Sequence, residues 1–280
     1  MLLLTWTWLT VEAAGWTRRA LLFVPPKPEA ALFLFHGGGG TARGMARLAR
    51  MEEVTDRFLL VYPEARRRRW GVLPPRDRAD LAFIRRLVEE IRKEYRLDTF
   101  FCAGMSNGGQ FCLRWTVERA PFRAYGIVAS LPSPQTLRQG KADDPRPILF
   151  ILGSEDPIIP IQGGEVRIFG RTRGVVWSLE ETLRYWKKRN HCKDPPSERY
   201  LPDIADDGLR TLHRVWPCRA PLELYLTEGG GHAWPGGIQY LPPRIIGRTT
   251  RDFSASRVLV SFFQQFVKRE PSSRSSLRLP

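Results

Sequence analysis

One serine lies in a sequence pattern typical of a catalytic nucleophile. Residues 104–108 read Gly-Met-Ser-Asn-Gly, a G-x-S-x-G pattern with Ser106 at its centre. It follows a short apolar run at residues 99–103 and precedes a helix that we predict over residues 110–119. The two glycines allow a tight turn between strand and helix, which leaves the serine hydroxyl exposed. Because the pattern alone is common, its place at a strand–helix junction is what favours a nucleophile.

A serine hydroxyl needs a base that takes its proton during attack, and the chain has four histidines. His36 precedes a run of four glycines, and we expect it to shape that loop through hydrogen bonds. His191 lies in a lysine-rich stretch that we expect to be exposed, and His213 alternates as a surface strand residue would. His232 lies in a glycine-rich loop after the last clear strand and is the predicted base. The alternative is a loop histidine hydrogen-bonded to the backbone.

A carboxylate is needed to orient the imidazole of the base and to stabilise its protonated form. Asp156 closely follows the apolar run at residues 148–152. The other aspartates between Ser106 and His232 occupy polar stretches, where turns and helix caps are their usual roles. The chain order Ser106, Asp156, His232 therefore predicts the three side chains of an acyl-transfer site.

An acyl-transfer site also needs N–H donors for the oxyanion that forms on the substrate carbonyl. We predict the amide of Asn107, the residue after the nucleophile, and the amide of Gly38, with Gly39 as the alternative. The glycine run could instead be merely flexible or could hold a phosphate. The nucleotide-binding interpretation is disfavoured because neither a lysine of the P-loop type nor a G-x-G-x-x-G pattern is present.

The elements that position these residues follow from hydrophobic patterning. Helical spacing places Phe83, Leu87, Ile91 and Tyr95 on one face, and Ser178 begins a capping box. Short, wholly apolar runs alternate with such helices, as a parallel sheet covered on both faces requires. These runs lie at residues 30–35, 58–62, 99–103, 126–129, 148–152 and 222–226. We predict an α/β class protein with a single domain over residues 1–269 and a disordered basic tail over residues 270–280.

Composition excludes several other classes of protein. The chain has 280 residues, 42% hydrophobic, and no apolar run long enough for a transmembrane helix, so we expect a soluble protein without a membrane partner. Its net charge is +15, but arginines are scattered along the chain, which disfavours nucleic-acid binding. One run of four consecutive arginines occupies residues 66–69, next to Trp70. We expect a solvated loop there; near a cleft, it could favour anionic substrates.

The four cysteines form neither a disulfide scaffold nor a metal-binding spacing, and we expect no metal. Cys102 and Cys112 are predicted to be buried thiols, whereas Cys192 and Cys218 flank a loop-rich stretch and could pair. Residues 1–15 superficially look like a signal peptide but lack a basic start and alternate as a strand would. We therefore expect a first strand there and cytoplasmic localisation.

Four separated motifs resemble the polyhydroxybutyrate depolymerase and feruloyl esterase family of α/β-hydrolase serine esterases. They are HGGGGT, the stretch at residues 80–109, GSEDPIIPIQGG and GGGHAWPGG. The resemblance implies an α/β-hydrolase fold with a mostly parallel sheet, a Ser106–Asp156–His232 triad and hydrolysis of carboxylic esters. It also implies that the loops of Trp70 and Trp234 line the cleft; the alternative for each indole is a packed loop anchor.

The same resemblance relates Cys192 to a family cysteine that pairs with one near Cys218. Two features depart from the family: an export signal is not recognisable, and residues 63–69 are unusually basic. The sequence therefore predicts a cofactor-free serine esterase for small or polymeric esters, acting through an acyl-enzyme. Feruloyl, short-chain acyl and hydroxybutyrate esters stay unranked. The alternatives are a peptidase or amidase on the same triad, and a basic, non-catalytic binding protein.

Overall fold

A computed structural model describes residues 5–138, 144–168 and 170–267, so the predicted tail at residues 270–280 lies outside the described residues. The strands are β1 (Thr5–Ala13), β2 (Trp16–Val24), β3 (Ala30–Phe35), β4 (Phe58–Pro63), β5 (Phe100–Met105), β6 (Phe122–Val128), β7 (Ile148–Gly153), β8 (Gly164–Ile168), β9 (Arg171–Val176), β10 (Ser197–Tyr200), β11 (Arg210–Trp216) and β12 (Leu222–Glu228). The α-helices are α1 (Ala42–Ala49), α2 (Asp77–Tyr95), α3 (Asn107–Thr116), α4 (Pro134–Arg138), α5 (Leu179–Arg189), α6 (Pro243–Ile246) and α7 (Ala255–Gln264).

Ten of the strands form one sheet, in the order β1-β2-β4-β3-β5-β6-β7-β12-β11-β10. The six central strands, β4 to β12 in this order, run parallel, and antiparallel strands flank them at both edges. Strands β8 and β9 form a separate antiparallel hairpin between β7 and α5. The parallel centre confirms the predicted α/β class.

The central strands are mostly apolar because helices cover both of their faces. All six residues of β3 are buried, and successive side chains alternate between two cores. Phe33 and Phe35 belong to the core shared with α2, α3 and α5, whereas Leu32 and Leu34 belong to the core shared with α1 and α7. Full burial of one such side chain stabilises the fold by about 1.5–3 kcal/mol.

The helices confirm the predicted apolar face of α2 and the predicted capping box. The predicted apolar face of α2 is buried at Phe83, Leu87 and Ile91, and Ser178 and Glu181 form the predicted capping box of α5. Helix α3 begins at Asn107, three residues earlier than predicted, because it starts directly from the turn that carries Ser106.

The ends of the sheet also agree with the sequence analysis. Strand β1 pairs with β2 along nine residues, which confirms a strand near the N-terminus. Cys102 and Cys112 are buried thiols, as predicted, and a disulfide joins Cys192 to Cys218. Among the described residues, the helices are too short or too polar to cross a membrane.

Candidate active site

The three predicted acyl-transfer residues follow strands that end at the same edge of the sheet. Ser106 follows β5, Asp156 follows β7, and His232 follows β12. Strand β6 separates β5 from β7, and β12 is the next neighbour of β7. Because adjacent strands lie about 4.8 Å apart, the three strand ends span only about 15 Å. Carboxyl ends of parallel strands are where ligands bind in open α/β sheets.

Ser106 occupies a strained turn between β5 and α3. Its backbone has φ 55° and ψ −122°, a conformation that non-glycine residues rarely adopt, and its amide donates to the carbonyl of Val128 at 3.0 Å. The flanking glycines are sterically required: a Cβ on Gly108 would lie 2.1 Å from the carbonyl oxygen of Phe35, and one on Gly104 would lie 2.5 Å from the backbone of Gly108. The turn leaves the Ser106 side chain partly exposed.

Asp156 and His232 are in direct contact. The distance between Asp156 Oδ2 and His232 Nδ1 is 2.7 Å, and both side chains are buried. The other carboxylate oxygen, Oδ1, accepts hydrogen bonds from the amides of Ile158 and Ile159, each at 2.8 Å. These two amides hold the carboxylate so that Oδ2 faces the imidazole. Within the described chain, His232 Nε2 forms no hydrogen bond.

The loop that carries His232 runs back across the sheet edge towards α1. Gly237 packs against the carbonyl of Leu48, where an added Cβ would lie 3.1 Å away. The indole N–H of Trp234 donates to Ser256 Oγ at 3.0 Å, and that hydroxyl donates to the carbonyl of Ala49. Helix α1 follows β3, the neighbour of β5, so these contacts join the loop after β12 to a helix that packs beside β5. Ser106 thus shares this edge with His232, although the described structure has no hydrogen bond between them.

Tyr240 is a site residue that the sequence analysis missed. Its hydroxyl donates to the carbonyl of His232 at 2.9 Å. Burial, and secondly the negative charge of Asp156, raise the pKa of Tyr240 well above its ordinary value, so the hydroxyl stays a neutral donor. Tyr240 therefore holds the backbone of His232 in place. No motif marks it, because the contact spans an irregular loop.

The glycine run lies beside the residue that follows Ser106. A Cβ on Gly38 would lie 3.7 Å from the Cβ of Asn107. The amide of Gly39 donates to the carbonyl of Arg68 at 2.7 Å, so it is already occupied. The amides of Gly38 and Asn107, by contrast, have no acceptor within the described residues. This difference favours Gly38 over Gly39, the two candidates from the sequence analysis for an oxyanion donor.

His36 fastens the glycine run to the chain after β4. Its Nδ1 lies 2.7 Å from the carbonyl oxygen of Gly37, and its Nε2 lies 3.1 Å from the amide nitrogen of Ala65. A carbonyl only accepts and an amide only donates, so the ring carries its proton on Nδ1 and accepts at Nε2. Burial lowers the pKa of His36, which keeps the ring neutral. The prediction that His36 shapes this loop through hydrogen bonds is confirmed.

Both predicted substrate-binding tryptophans are buried, with exposed fractions of 2% for Trp70 and 1% for Trp234. The Trp70 indole donates to the carbonyl of His36 at 3.0 Å and stacks on Phe111 with ring centroids 4.9 Å apart. The Trp70 backbone exchanges two hydrogen bonds with the side-chain amide of Asn107, at 2.8 and 3.2 Å. These contacts support the alternative of packed loop anchors, and we propose no substrate contact for either indole.

The remaining histidines lie away from this edge of the sheet. His191 is exposed, as expected. The expectation that His213 is a surface residue is wrong: its ring is buried, stacks on Tyr225 at 4.0 Å and lies 3.1 Å from a carboxylate oxygen of Glu223. Tyr225, on the neighbouring strand β12, in turn stacks on Phe253. The described residues contain no group of three or more His, Cys, Asp or Glu side chains suited to a metal ion.

Comparisons with known proteins bear on the fold and on the class of reaction. No family model matches the chain. It is 28% identical over 281 residues to "Putative esterase NocK" of Nocardia uniformis subsp. tsuyamanensis, covering 90% of this chain and 80% of that protein. The crystal structure of TT1662 from Thermus thermophilus is similar with a TM-score of 0.53 and 20% identity, covering 95% of this chain and all of that one.

Poly(aspartic acid) hydrolase-1 from Sphingomonas sp. KT-1 has a similar structure, with a TM-score of 0.51 and 20% identity over 66% of this chain and 86% of that one. The two solved structures bear on the fold alone. Together with the strand order, they show an α/β-hydrolase fold. The sequence relative supports a hydrolase of the esterase type.

Proposed function

We propose that the chain hydrolyses carboxylic esters through an acyl-enzyme on Ser106, with His232 as the base and Asp156 as the group that orients it. The observation that carries the proposal is the 2.7 Å contact between Asp156 and His232, at the sheet edge where Ser106 occupies its strained turn. The esterase relative supports the reaction class.

The proposed reaction has two proton-coupled halves. The Ser106 hydroxyl attacks the ester carbonyl carbon while its proton passes to His232 Nε2. The tetrahedral intermediate collapses, and the protonated imidazole gives this proton to the departing alkoxide, which leaves as an alcohol. A water molecule then attacks the acyl-enzyme with the same base, releasing the acid and restoring the serine. Asp156 stabilises the imidazolium in both halves.

We assign the oxyanion donors to the amides of Gly38 and Asn107. Neither amide is bonded to another described residue, and a Cβ on Gly38 would lie within 3.7 Å of the Asn107 side chain. The Asn107 amide is also the first of α3, so the positive end of the helix dipole adds to its effect. Each such donor stabilises the transition state by about 3 kcal/mol. Gly39 is excluded because Arg68 already accepts its N–H.

The proposed substrates are esters of short aliphatic, hydroxycinnamoyl or hydroxybutyrate acids, as in the family whose motifs the sequence resembles. The test measures turnover of 4-nitrophenyl butyrate, methyl ferulate and hydroxybutyrate oligomers, with 4-nitrobutyranilide as the matched amide. We expect the esters to be hydrolysed much faster than the anilide. Preferred cleavage of the anilide would instead identify an amidase.

The decisive variant is Ser106→Ala, with Ser197→Ala on the exposed strand β10 as its matched control. We expect Ser106→Ala to lose about 10⁴-fold or more in kcat and the control to lose none. A fluorophosphonate probe should label Ser106 in the wild type, as mass spectrometry of the labelled peptide would show. Full ester turnover by Ser106→Ala would overturn the proposal, and the absence of any turnover in the wild type would point to a non-catalytic protein.

A further inference from the structure

Four consecutive arginines, residues 66–69, form a loop directly beside the glycine run; we call it the arginine loop. The residue before the loop, Ala65, donates its amide to His36, and the carbonyl of Arg68 accepts from Gly39. The residue after the loop, Trp70, is doubly bonded to the side chain of Asn107. Arg69 thus lies between Arg68, which is bonded to Gly39, and Trp70, which is bonded to Asn107.

The backbone of the arginine loop presents its side chains to solvent. Arg67 and Arg68 have φ values of 54° and 55°, in the left-handed region that non-glycine residues seldom occupy. Such conformations persist only where surrounding contacts enforce them, and they concentrate at functional sites. All four side chains are exposed. The guanidinium of Arg66 packs on Trp16 of β2 at 3.2 Å. The contact of the loop with the glycine run is made by the backbone of Arg68.

The positive charges of two further arginines, Arg173 and Arg76, act on Arg69 of the arginine loop. Desolvation, then the positive charges of Arg173 and Arg76, lower the pKa of Arg69. Arg173 belongs to β9, in the hairpin that follows the Asp156 loop, and Arg76 immediately precedes α2. The charge of Arg68 also acts on His36. Contacts of the backbone place the arginine loop beside the site: Arg68 accepts from Gly39, Trp70 is bonded to Asn107, and the carbonyl of Arg76 packs against Gly71.

These arginines have no carboxylate partner among the described residues, whereas several other surface arginines do. Arg57 pairs with Glu29, and Arg86 pairs with Glu90. Within the described ranges, no ion pair of 4.0 Å or less involves Arg68, Arg69 or Arg173, nor does one involve Arg76. Like charges that converge without a partner repel one another. An anion bound between them would relieve this repulsion, and a carboxylate matches the planar fork of a guanidinium.

We propose that Arg69 and Arg173, with Arg68 and Arg76 around them, bind a carboxylate of the substrate, so that the preferred esters are anionic. The inference rests on the proposed ester hydrolysis and adds the substrate class. Arg68 is bonded to Gly39, whose Cα is about 3.8 Å from that of Gly38, the proposed oxyanion donor. A carboxylate a few bonds from the scissile carbonyl is therefore within reach of the guanidinium groups.

The test compares matched anionic and neutral esters, with the carboxylate on either side of the scissile bond. Mono(4-nitrophenyl) adipate is set against 4-nitrophenyl hexanoate, and 3-carboxyphenyl butyrate against 3-carbamoylphenyl butyrate. In the wild type at low salt, we expect kcat/KM to favour the anionic member of at least one pair by about tenfold or more. The pair that shows the preference tells whether the carboxylate belongs to the acyl group or to the alcohol. About 0.5 M NaCl should reduce the preference, because the site is exposed.

The variant Arg69→Gln/Arg173→Gln should lower the anionic-to-neutral ratio by about fivefold or more. Arg69→Lys/Arg173→Lys should recover part of it, because the charge returns without the paired donors. The matched control is Arg184→Gln/Lys188→Gln, which removes the same charge from the exposed face of α5. Circular dichroism shows whether each variant is folded.

Two outcomes separate this inference from the proposed function. One outcome is that neutral esters are hydrolysed in a Ser106-dependent reaction while neither pair shows a preference for the anionic ester. The proposed carboxylate site would then be wrong, and the proposed esterase activity would stand. An equal loss of preference in the Arg184 and Lys188 control would also overturn the site, since overall charge would then be the cause. If no ester is hydrolysed at all, the proposed function itself fails.

Discussion

Replacement of Asp156 by asparagine tests the proposed triad through the tautomer of one imidazole. In the wild type, Oδ1 of Asp156 accepts from the amides of Ile158 and Ile159, and Oδ2 faces His232 Nδ1. The asparagine oxygen must keep the position that faces the two amides, because its NH₂ group cannot accept from them. Its NH₂ group is therefore directed at His232 Nδ1, which can then only accept.

This orientation places the imidazole proton on Nε2, the nitrogen that should take the serine proton. The base is thus blocked while the shape of the site is retained. The same substitution in the triad of a serine protease lowers kcat about 10⁴-fold, and we expect a loss of this order here. It corresponds to about 5.5 kcal/mol of transition-state stabilisation. Steady-state hydrolysis of 4-nitrophenyl butyrate at neutral pH measures it.

The chain offers a matched control in Asp252. Its exposed fraction, 8%, equals that of Asp156, and its Oδ1 also accepts from two successive amides, those of Ile204 and Ala205, at 3.0 Å. Asp252→Asn repeats the structural change away from His232 and should leave kcat within a few-fold of the wild type. A loss below about tenfold for Asp156→Asn, or an equal loss for both variants, would refute the tautomer argument.

Two further predictions concern stability and can both be measured by urea denaturation. Since burial lowers the pKa of His36, the unfolded chain takes up the proton first, and the free energy of unfolding should fall below about pH 6.5 by up to about 1.4 kcal/mol per pH unit. In His36→Gln, the free energy of unfolding should fall less steeply with pH than in the wild type. Equal pH dependence of the two proteins between pH 7.5 and 5 would contradict this prediction. Cys192→Ala/Cys218→Ala opens a link between residues 26 apart and should cost about 3–4 kcal/mol, so an unchanged urea midpoint would refute a stabilising disulfide.

The central sheet could be predicted because its signals are local. Strands β3, β4 and β7 are short apolar runs that end in glycine or proline or directly before a polar residue. The positions of Ser106, Asp156 and His232 after three such runs were enough to place them at one sheet edge. The contact between Asp156 and His232 followed from that placement and from chemistry.

The features that the sequence did not reveal depend on contacts between distant segments. Tyr240 holds the His232 backbone only because an irregular loop folds back on itself. His213 is covered by an aromatic stack that includes Phe253, forty residues later in the chain. The Trp70 indole is buried against Phe35 and Phe111, and the side chain of Asn107 binds its backbone. No residue pattern within one segment records such contacts.

The way the arginine loop is attached also bears on how such an enzyme could diverge. Its hydrogen bonds to the rest of the described chain run through main-chain atoms and through the neighbours Ala65 and Trp70, and of the guanidinium groups Arg66 packs on Trp16. Mutation can therefore exchange one guanidinium at a time for a neutral or acidic group while the scaffold beneath stays intact. At Arg67 and Arg68, asparagine or glycine would even suit the backbone better. The preference for substrate charge can therefore change during evolution while the residues of the candidate active site stay the same.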